Sequence, residues 1–421
     1  MEVKVKVLGG GLEIGKNAIE IYYNNKSLLL DYGVIFNDHI EFPLIPNIKN
    51  TEGVIVSHSH LDHTGGLPLI YSSTLKPPLY INELTLELTD LLLYDFLKIS
   101  KNRLQFDKVA IEEVKSKAVL LKLRSEFHIN SFYIKTFNAG HIPGSWMVFI
   151  NIKDKNILYT GDFNVYESKL IKGAEIINED VDLLICEGTY ACINHINRSL
   201  LEKDLIERIN ETLDNGGNVL IPSFSIGRSQ EILCLLYEYG IDYPIYLDGM
   251  ARSVSKILLK FPEYFRDYDL LEKAHRKAIW IESEDERRNT MGDPSIIISP
   301  AGMLKGGAAM YYVKKIIKNE KNAIFFVGYL SKDTPARKIL ENKTLNLPTG
   351  IEKVRAKVDW FGISSHSDMH GIISFINTIN PSKVLFIHCE PQRIIEMKKL
   401  LENKFKDTEF IIAENGREYQ I

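Results

Sequence analysis

Val54-Ile55-Val56-Ser57-His58-Ser59-His60-Leu61-Asp62-His63-Thr64-Gly65-Gly66 is the stretch on which the fold of this chain turns. Three apolar residues read as a buried strand. They run straight into His58, His60, Asp62 and His63, after which two glycines break the chain. Imidazole and carboxylate are the donors zinc takes when a site must keep a position open for water. Alternate residues of an extended turn point the same way, so His58 and His60 can share one cation. Asp62 and His63, one step further round, can face a second.

Composition sets the frame for that motif. The chain has 421 residues, 45% hydrophobic and 25% charged, which suits one large α/β domain with an insertion, or two domains. No apolar run approaches the roughly 18 residues of a membrane span. Cys186, Cys192, Cys234 and Cys389 form no C-x-x-C pair, which fits a reducing, cytoplasmic setting. The formal charge of −4 gives no overall sign of nucleic-acid binding, so any phosphate-binding surface has to be local.

Outward from the motif, the pattern of a strand ending in a ligand repeats. Upstream lie three short strands, Val3 to Leu8, Ala18 to Tyr23 and Leu28 to Leu30. The glycines at 9, 10, 11 and 15 between the first two are read as a turn and not a dinucleotide loop, because a β-alternating segment follows them instead of a helix. Asp31 closes the third strand and is a candidate to orient a ligand histidine. Downstream, Phe132 to Phe137 leads to Gly140-His141, and Ile157 to Tyr159 leads to Gly161-Asp162. From Leu183 strands and helices alternate, as in a parallel α/β layer. Strands are expected at 219–221, 245–247, 296–298, 323–327 and 354–358, and helices near 199–213, 228–239, 252–260 and 304–317. His366 and His388 follow late strands. His39, His128, His195, His275 and His370 lack such a context and read as ordinary.

The H-x-H-x-D-H spacing resembles the metal-binding motif of the metallo-β-lactamase superfamily. On that resemblance His58, His60, His141 and Asp162 hold one metal, and Asp62, His63, His388 and the shared Asp162 hold the other. Two cations about 3.5–4 Å apart suit in-line displacement at phosphorus. A narrower resemblance rests on Ile185-Cys186-Glu187-Gly188-Thr189-Tyr190, Ser364-Ser365-His366-Ser367-Asp368 and Ile387-His388-Cys389-Glu390. These are similar to the additional motifs of the β-CASP nucleases. Pro222-Ser223-Phe224-Ser225-Ile226-Gly227-Arg228 and Ser299-Pro300-Ala301-Gly302-Met303 fit the same family, and the likeness runs from about Val7 to Glu390. It is nearest to the archaeal relatives of the cleavage and polyadenylation specificity factor endonuclease that lack KH domains.

This resemblance implies a metallo-β-lactamase αββα sandwich with an inserted β-CASP α/β cap. The sandwich would take residues 1–190 and 349–421, and the cap 191–348. It implies two zinc ions per chain and hydrolysis of RNA phosphodiester bonds. His366 would be the general acid, oriented by Glu187, with Asp62 and Asp162 also in the catalytic set. A histidine at 388 favours RNA over DNA. The familiar Glu-Ser-Thr-Tyr form is Glu187-Gly188-Thr189-Tyr190 here, which loses a hydroxyl beside the acid. Endonucleolytic cleavage in single-stranded regions is expected, with 5′-to-3′ trimming as an accompanying activity, in RNA 3′-end processing, transcription termination or RNA decay. An RNase J-like 5′-to-3′ exoribonuclease and an inactive RNA-binding subunit are the alternatives. Ser223, Arg228, Arg252, Ser364 and Ser365 are candidate phosphate contacts, several of them at strand-to-helix junctions where N–H groups attract anions. The partner is single-stranded RNA and not a membrane. Self-association through the strand-like 418–421, or association with other RNA-processing or transcription factors, is left open.

Overall fold

The computed structural model describes residues 2–36, 39–331 and 334–421. Two compact units divide the chain. One takes the segments up to Glu167, Gly173–Asn194 and His366–Ile421, and the other takes Ser168–Lys172 and His195–Ser365.

The first unit contains two seven-stranded sheets. In one, Lys4–Gly9, Ala18–Tyr23 and Lys26–Leu30 pair antiparallel, and Thr51–Ile55, Leu79–Asn82 and Ala118–Leu121 add on in parallel. In the other, Lys155–Tyr159, Leu183–Glu187, Lys383–Ile387 and Glu409–Ile412 are parallel neighbours. The antiparallel Trp146–Ile152, Phe132–Asn138 and Glu126–Ile129 complete it. Inward-facing Val5, Ile19, Leu28 and Ile55 from the first sheet share a core with Ile134, Val148, Ile157 and Leu385 from the second. The helix Leu67–Tyr71 covers the outer face of one sheet, and Met369–Ile379 and Pro391–Lys404 that of the other. Each sheet thus buries both faces, as an αββα sandwich requires.

The strand Glu418–Gln420 pairs antiparallel with Lys4–Gly9 of the same chain. The C-terminal segment that sequence offered for pairing between protomers is therefore used within the chain.

The second unit is built on a six-stranded sheet whose paired strands are all parallel. Its order is Ile279–Trp280, Ile245–Leu247, Ile296–Ser299, Val219–Pro222, Ala323–Val327 and Lys357–Phe361. Such strands are apolar throughout because helices cover both faces. Ile296, Ile297 and Ile298 are all fully buried. Helices Arg198–Asp214, Arg228–Glu238 and Tyr268–Lys277 pack on one face, Ala309–Ile316 and Pro335–Asn342 on the other. The last strand falls at 357–361 and not at the expected 354–358, and it pairs with Ala323–Val327. By compactness the chain returns to the first unit at His366, while the expected domain division lies near residue 349. The helix expected from 304 begins only at Ala309, after a glycine-containing turn.

Candidate metal centre

Parallel neighbours deliver the side chains. Leu30 and Ile55 are register partners, so Asp31 and the Ser57–His60 segment leave adjacent strand ends together. On the other sheet Lys155–Tyr159, Leu183–Glu187 and Lys383–Ile387 lie side by side, placing Asp162, Glu187 and His388 at or just beyond three adjacent C-terminal ends. This is the edge where open parallel sheets collect ligands. Asp62 and His63 lie on the single helical turn Leu61–Thr64 and not on an extended segment. Gly33 passes beneath that turn so closely that a Cβ there would sit 1.7 Å from the Asp62 carbonyl oxygen. Asp31 and His388 have φ of 57° and 49°, a region that is costly for non-glycine residues and is tolerated where the surroundings enforce it.

Two groups of donor atoms result, His58, His60, His141 and Asp162 in one and Asp62, His63, Asp162 and His388 in the other. Within each group the atoms lie within 4.8 Å of one another. His60 Nδ1 is 3.2 Å from His58 Nε2 and 3.1 Å from His141 Nε2. Three imidazole nitrogens facing one another cannot all be satisfied by protons they share. Asp162 Oδ1, shared by both groups, is buried without a hydrogen-bond partner. Buried polar atoms are rarely left in that state, so the donor set fits cations.

Supporting groups hold the rings. Asp31 Oδ2 lies 2.7 Å from His63 Nδ1 and accepts from the Tyr159 hydroxyl at 2.6 Å, while Ser57 donates to Asp31 through both its backbone N–H and its hydroxyl at 2.7 Å. Thr189 Oγ1 is 2.9 Å from His388 Nδ1, and the Asn17 amide is 2.9 Å from His63 Nε2. The glycine-rich turn from Gly9 to Gly15 has a second use: its Gly10 carbonyl accepts from His388 N at 2.7 Å. Sequence reading missed Asn17, Ser57, Tyr159 and Thr189 as partners. Thr189 could have been suspected from its place in the Glu187 motif; the others carried no signal.

The electrostatics divide the site. Burial, reinforced by neighbouring rings, pushes His58 well below its ordinary range, and burial also lowers His60. Both are neutral lone-pair donors. Burial would lower His63 too, but Asp162 and Asp31 outweigh it and push the ring well above its usual value. His388 is likewise raised against burial by Asp162 and Asp62. Burial would raise Asp62 and Asp162, but His388 and His63 hold both carboxyls down.

Beside these groups stands His366. Its Nδ1 is 2.8 Å from Glu187 Oε1. Glu187 is fully buried and accepts from the backbone N–H groups of Phe163 and Thr189, both at 3.1 Å. Burial disfavours the imidazolium, but Glu187 overrides it and raises His366 to about 9.

The candidate phosphate contacts are more varied. Ser223 is fully buried with its hydroxyl 2.8 Å from that of Ser229, and the Arg228 side chain is largely buried at the start of its helix. Arg252 is half-buried in the first turn of Met250–Leu258, and its Nε has no partner. Ser364 and Ser365 are half-buried just before His366. None of the described helices is long and apolar enough to cross a membrane.

Comparison with known proteins adds identity to this geometry. Residues 229–339 match the Beta-Casp domain, and residues 351–412 match the Zn-dependent metallo-hydrolase RNA specificity domain. Residues 13–210 match the family of the anti-Pycsar protein Apyc1. RNase aCSPSF2 of Saccharolobus solfataricus is 36% identical over 425 residues, spanning 100% of this chain and 86% of that protein. Probable RNase MJ4 of Methanocaldococcus jannaschii is 35% identical over 393 residues, 91% of this chain and 92% of that one. Transcription termination factor FttA of the same organism is 29% identical over 456 residues, 97% and 70% of the two chains. Similarity at this level over the full sandwich and its insertion makes the chain a member of the β-CASP metallo-β-lactamase ribonucleases, metal-dependent hydrolases of RNA in the group related to the cleavage and polyadenylation specificity factor.

Proposed function

We propose that the chain holds two zinc ions and cleaves single-stranded RNA internally, leaving 5′-phosphate and 3′-hydroxyl ends. The observation that carries this reading is His366, fixed by Glu187 at 2.8 Å beside two groups of donors that share Asp162. His58, His60, His141 and Asp162 would hold one ion, and Asp62, His63, Asp162 and His388 the other. Bound cations supply an activated water and neutralise the phosphate oxygens. Everything else falls to the chain. Glu187 occupies Nδ1 of His366 and favours its charged form, leaving Nε2 to protonate the departing 3′ oxygen. Asp31 and Thr189 fix the tautomers of His63 and His388, so that each presents its other nitrogen to the cation. Arg228, Arg252, Ser364 and Ser365 would steady the substrate phosphates; Ser223, bonded to Ser229, would shape the loop that carries Arg228.

The similarity to FttA supports work in 3′-end formation or transcription termination, where the chain would meet other factors. The four cysteines, all free thiols, suit a cytoplasmic setting. Circular single-stranded RNA tests the mode of attack because it has no end. Internal cleavage opens the circle. If linear 5′-monophosphate RNA is degraded while a circle of the same sequence survives, the chain is an exonuclease and this reading fails.

A further inference from the structure

The six-stranded sheet of the inserted unit has an aromatic feature at its C-terminal edge that the chemistry above does not use. Phe224 follows Val219–Pro222, Gly328 follows Ala323–Val327, and Trp360 lies in Lys357–Phe361, three neighbouring strands in the sheet order. Phe224 is 38% and Trp360 45% exposed. Large aromatics left that open at the ligand-collecting edge of a parallel sheet call for an explanation.

Both rings address Gly328. The indole N–H of Trp360 donates to the Gly328 carbonyl at 2.7 Å, which fixes the plane of the ring. A Cβ on Gly328 would lie 3.8 Å from the Phe224 ring and 3.9 Å from Arg228 Nε. A Cβ on Gly362 would press on the indole at 3.0 Å. Glycine at both positions leaves the two rings and the guanidinium grouped around bare backbone. The nearby aliphatic residues Ile226, Leu330 and Ile363 are buried, so the exposed apolar surface here is flat and aromatic.

We infer that Phe224 and Trp360 form a base-stacking subsite for single-stranded RNA, with Arg228 beside it to face a phosphate. Stacking on aromatic faces is indifferent to sequence, and a cation next to the stack tracks the backbone. The inference rests on the ribonuclease reading and deepens it: it names the part of the inserted unit that grips the strand through its bases. Fixing the indole in advance lowers the cost of ordering it on binding.

The test uses the full-length, zinc-loaded chain carrying His366→Ala, so that RNA is bound and not cut. Fluorescence anisotropy compares a labelled twelve-nucleotide oligouridylate with the same strand made entirely of abasic residues. Trp360→Ala and Phe224→Ala should each weaken binding of the oligouridylate by roughly ten-fold and leave the abasic strand unaffected. Trp360→Phe should restore most of the loss, and unchanged thermal unfolding midpoints would show that the fold is intact. Undiminished binding of the oligouridylate by both alanine variants overturns the subsite and assigns the aromatics to a protein contact. Equal losses on both strands also overturn it. If the parent chain binds neither strand, the RNA reading fails along with the subsite; if it binds and the alanine variants match it, only the subsite fails.

Discussion

The two donor groups share Asp162 but differ in how they are charged. Around His60 the partners are rings, with His58 and His60 both held neutral. The Asp62 group carries two carboxylates, and nearby carboxylates push His63 and His388 towards the protonated state. The first group meets a cation as a ready set of lone pairs. In the second, protons stand where the cation's charge would be, and they must leave before it binds. Neutral rings bind by donor geometry; carboxylates bind largely by charge, and so compete with acid.

The strongest way to break this comparison is to remove what the halves share. Asp162→Ala should abolish stable binding of both ions and take RNA cleavage to background, with metal counted by elemental analysis after dialysis. Retention of either ion at full occupancy would show that the halves are independent. Next in size is His366→Ala, which should cut cleavage by roughly 10²–10⁴-fold while metal content stays as in the parent chain. Loss of metal in that variant would make His366 a ligand and not an acid.

Acid should separate the two halves. A raised folded pKa means that the proton is held until the pH climbs through it, so lowering the pH strengthens the competitor in the second group only. Dialysis at mildly acidic pH should strip one ion of two, read by elemental analysis against a neutral control; simultaneous loss of both would erase the distinction. Thr189→Val should act in the same half, weakening its metal affinity about 10–100-fold through loss of the contact to His388, measured by chelator competition. The smallest effect concerns His366. Its acid form persists below about pH 9, so cleavage should fall as pH rises through that region. Glu187→Gln removes the charge that favours the imidazolium, so the alkaline limb of the pH–rate profile should move down by about one pH unit or more.

The donor groups were legible because each candidate donor ends or follows an apolar strand, and Gly140-His141 and Gly161-Asp162 repeat the pattern of Gly65 and Gly66 in reverse order. The parallel α/β layer followed from the switch to alternating strands and helices after Leu183, and the sandwich from the family resemblance. What stayed hidden was whatever depends on distant pairing. Asn17 and His63 are 46 residues apart, Thr189 and His388 199, and a lone Asn or Thr looks the same in a solvated turn. The pairing of the last strand in the second unit's sheet stayed hidden for a similar reason. Lys357–Phe361 alternates like a strand of either unit, and only its pairing with Ala323–Val327 assigns it. Ser223, a candidate phosphate contact from its strand-to-helix junction, is fully buried, and burial leaves no mark in sequence there.

The return of Glu418–Gln420 to Lys4–Gly9 has a consequence for how the molecule is made. The inserted unit is nearly contiguous, from His195 to Ser365, and can condense on the ribosome while the rest is still being translated. The sandwich closes later: Lys4–Gly9 pairs early with Ala18–Tyr23, but its other neighbour lies more than four hundred codons downstream, and His366 and His388 are translated only after the inserted unit. A polypeptide that stops within the inserted unit therefore lacks His366, His388 and that outer strand at once.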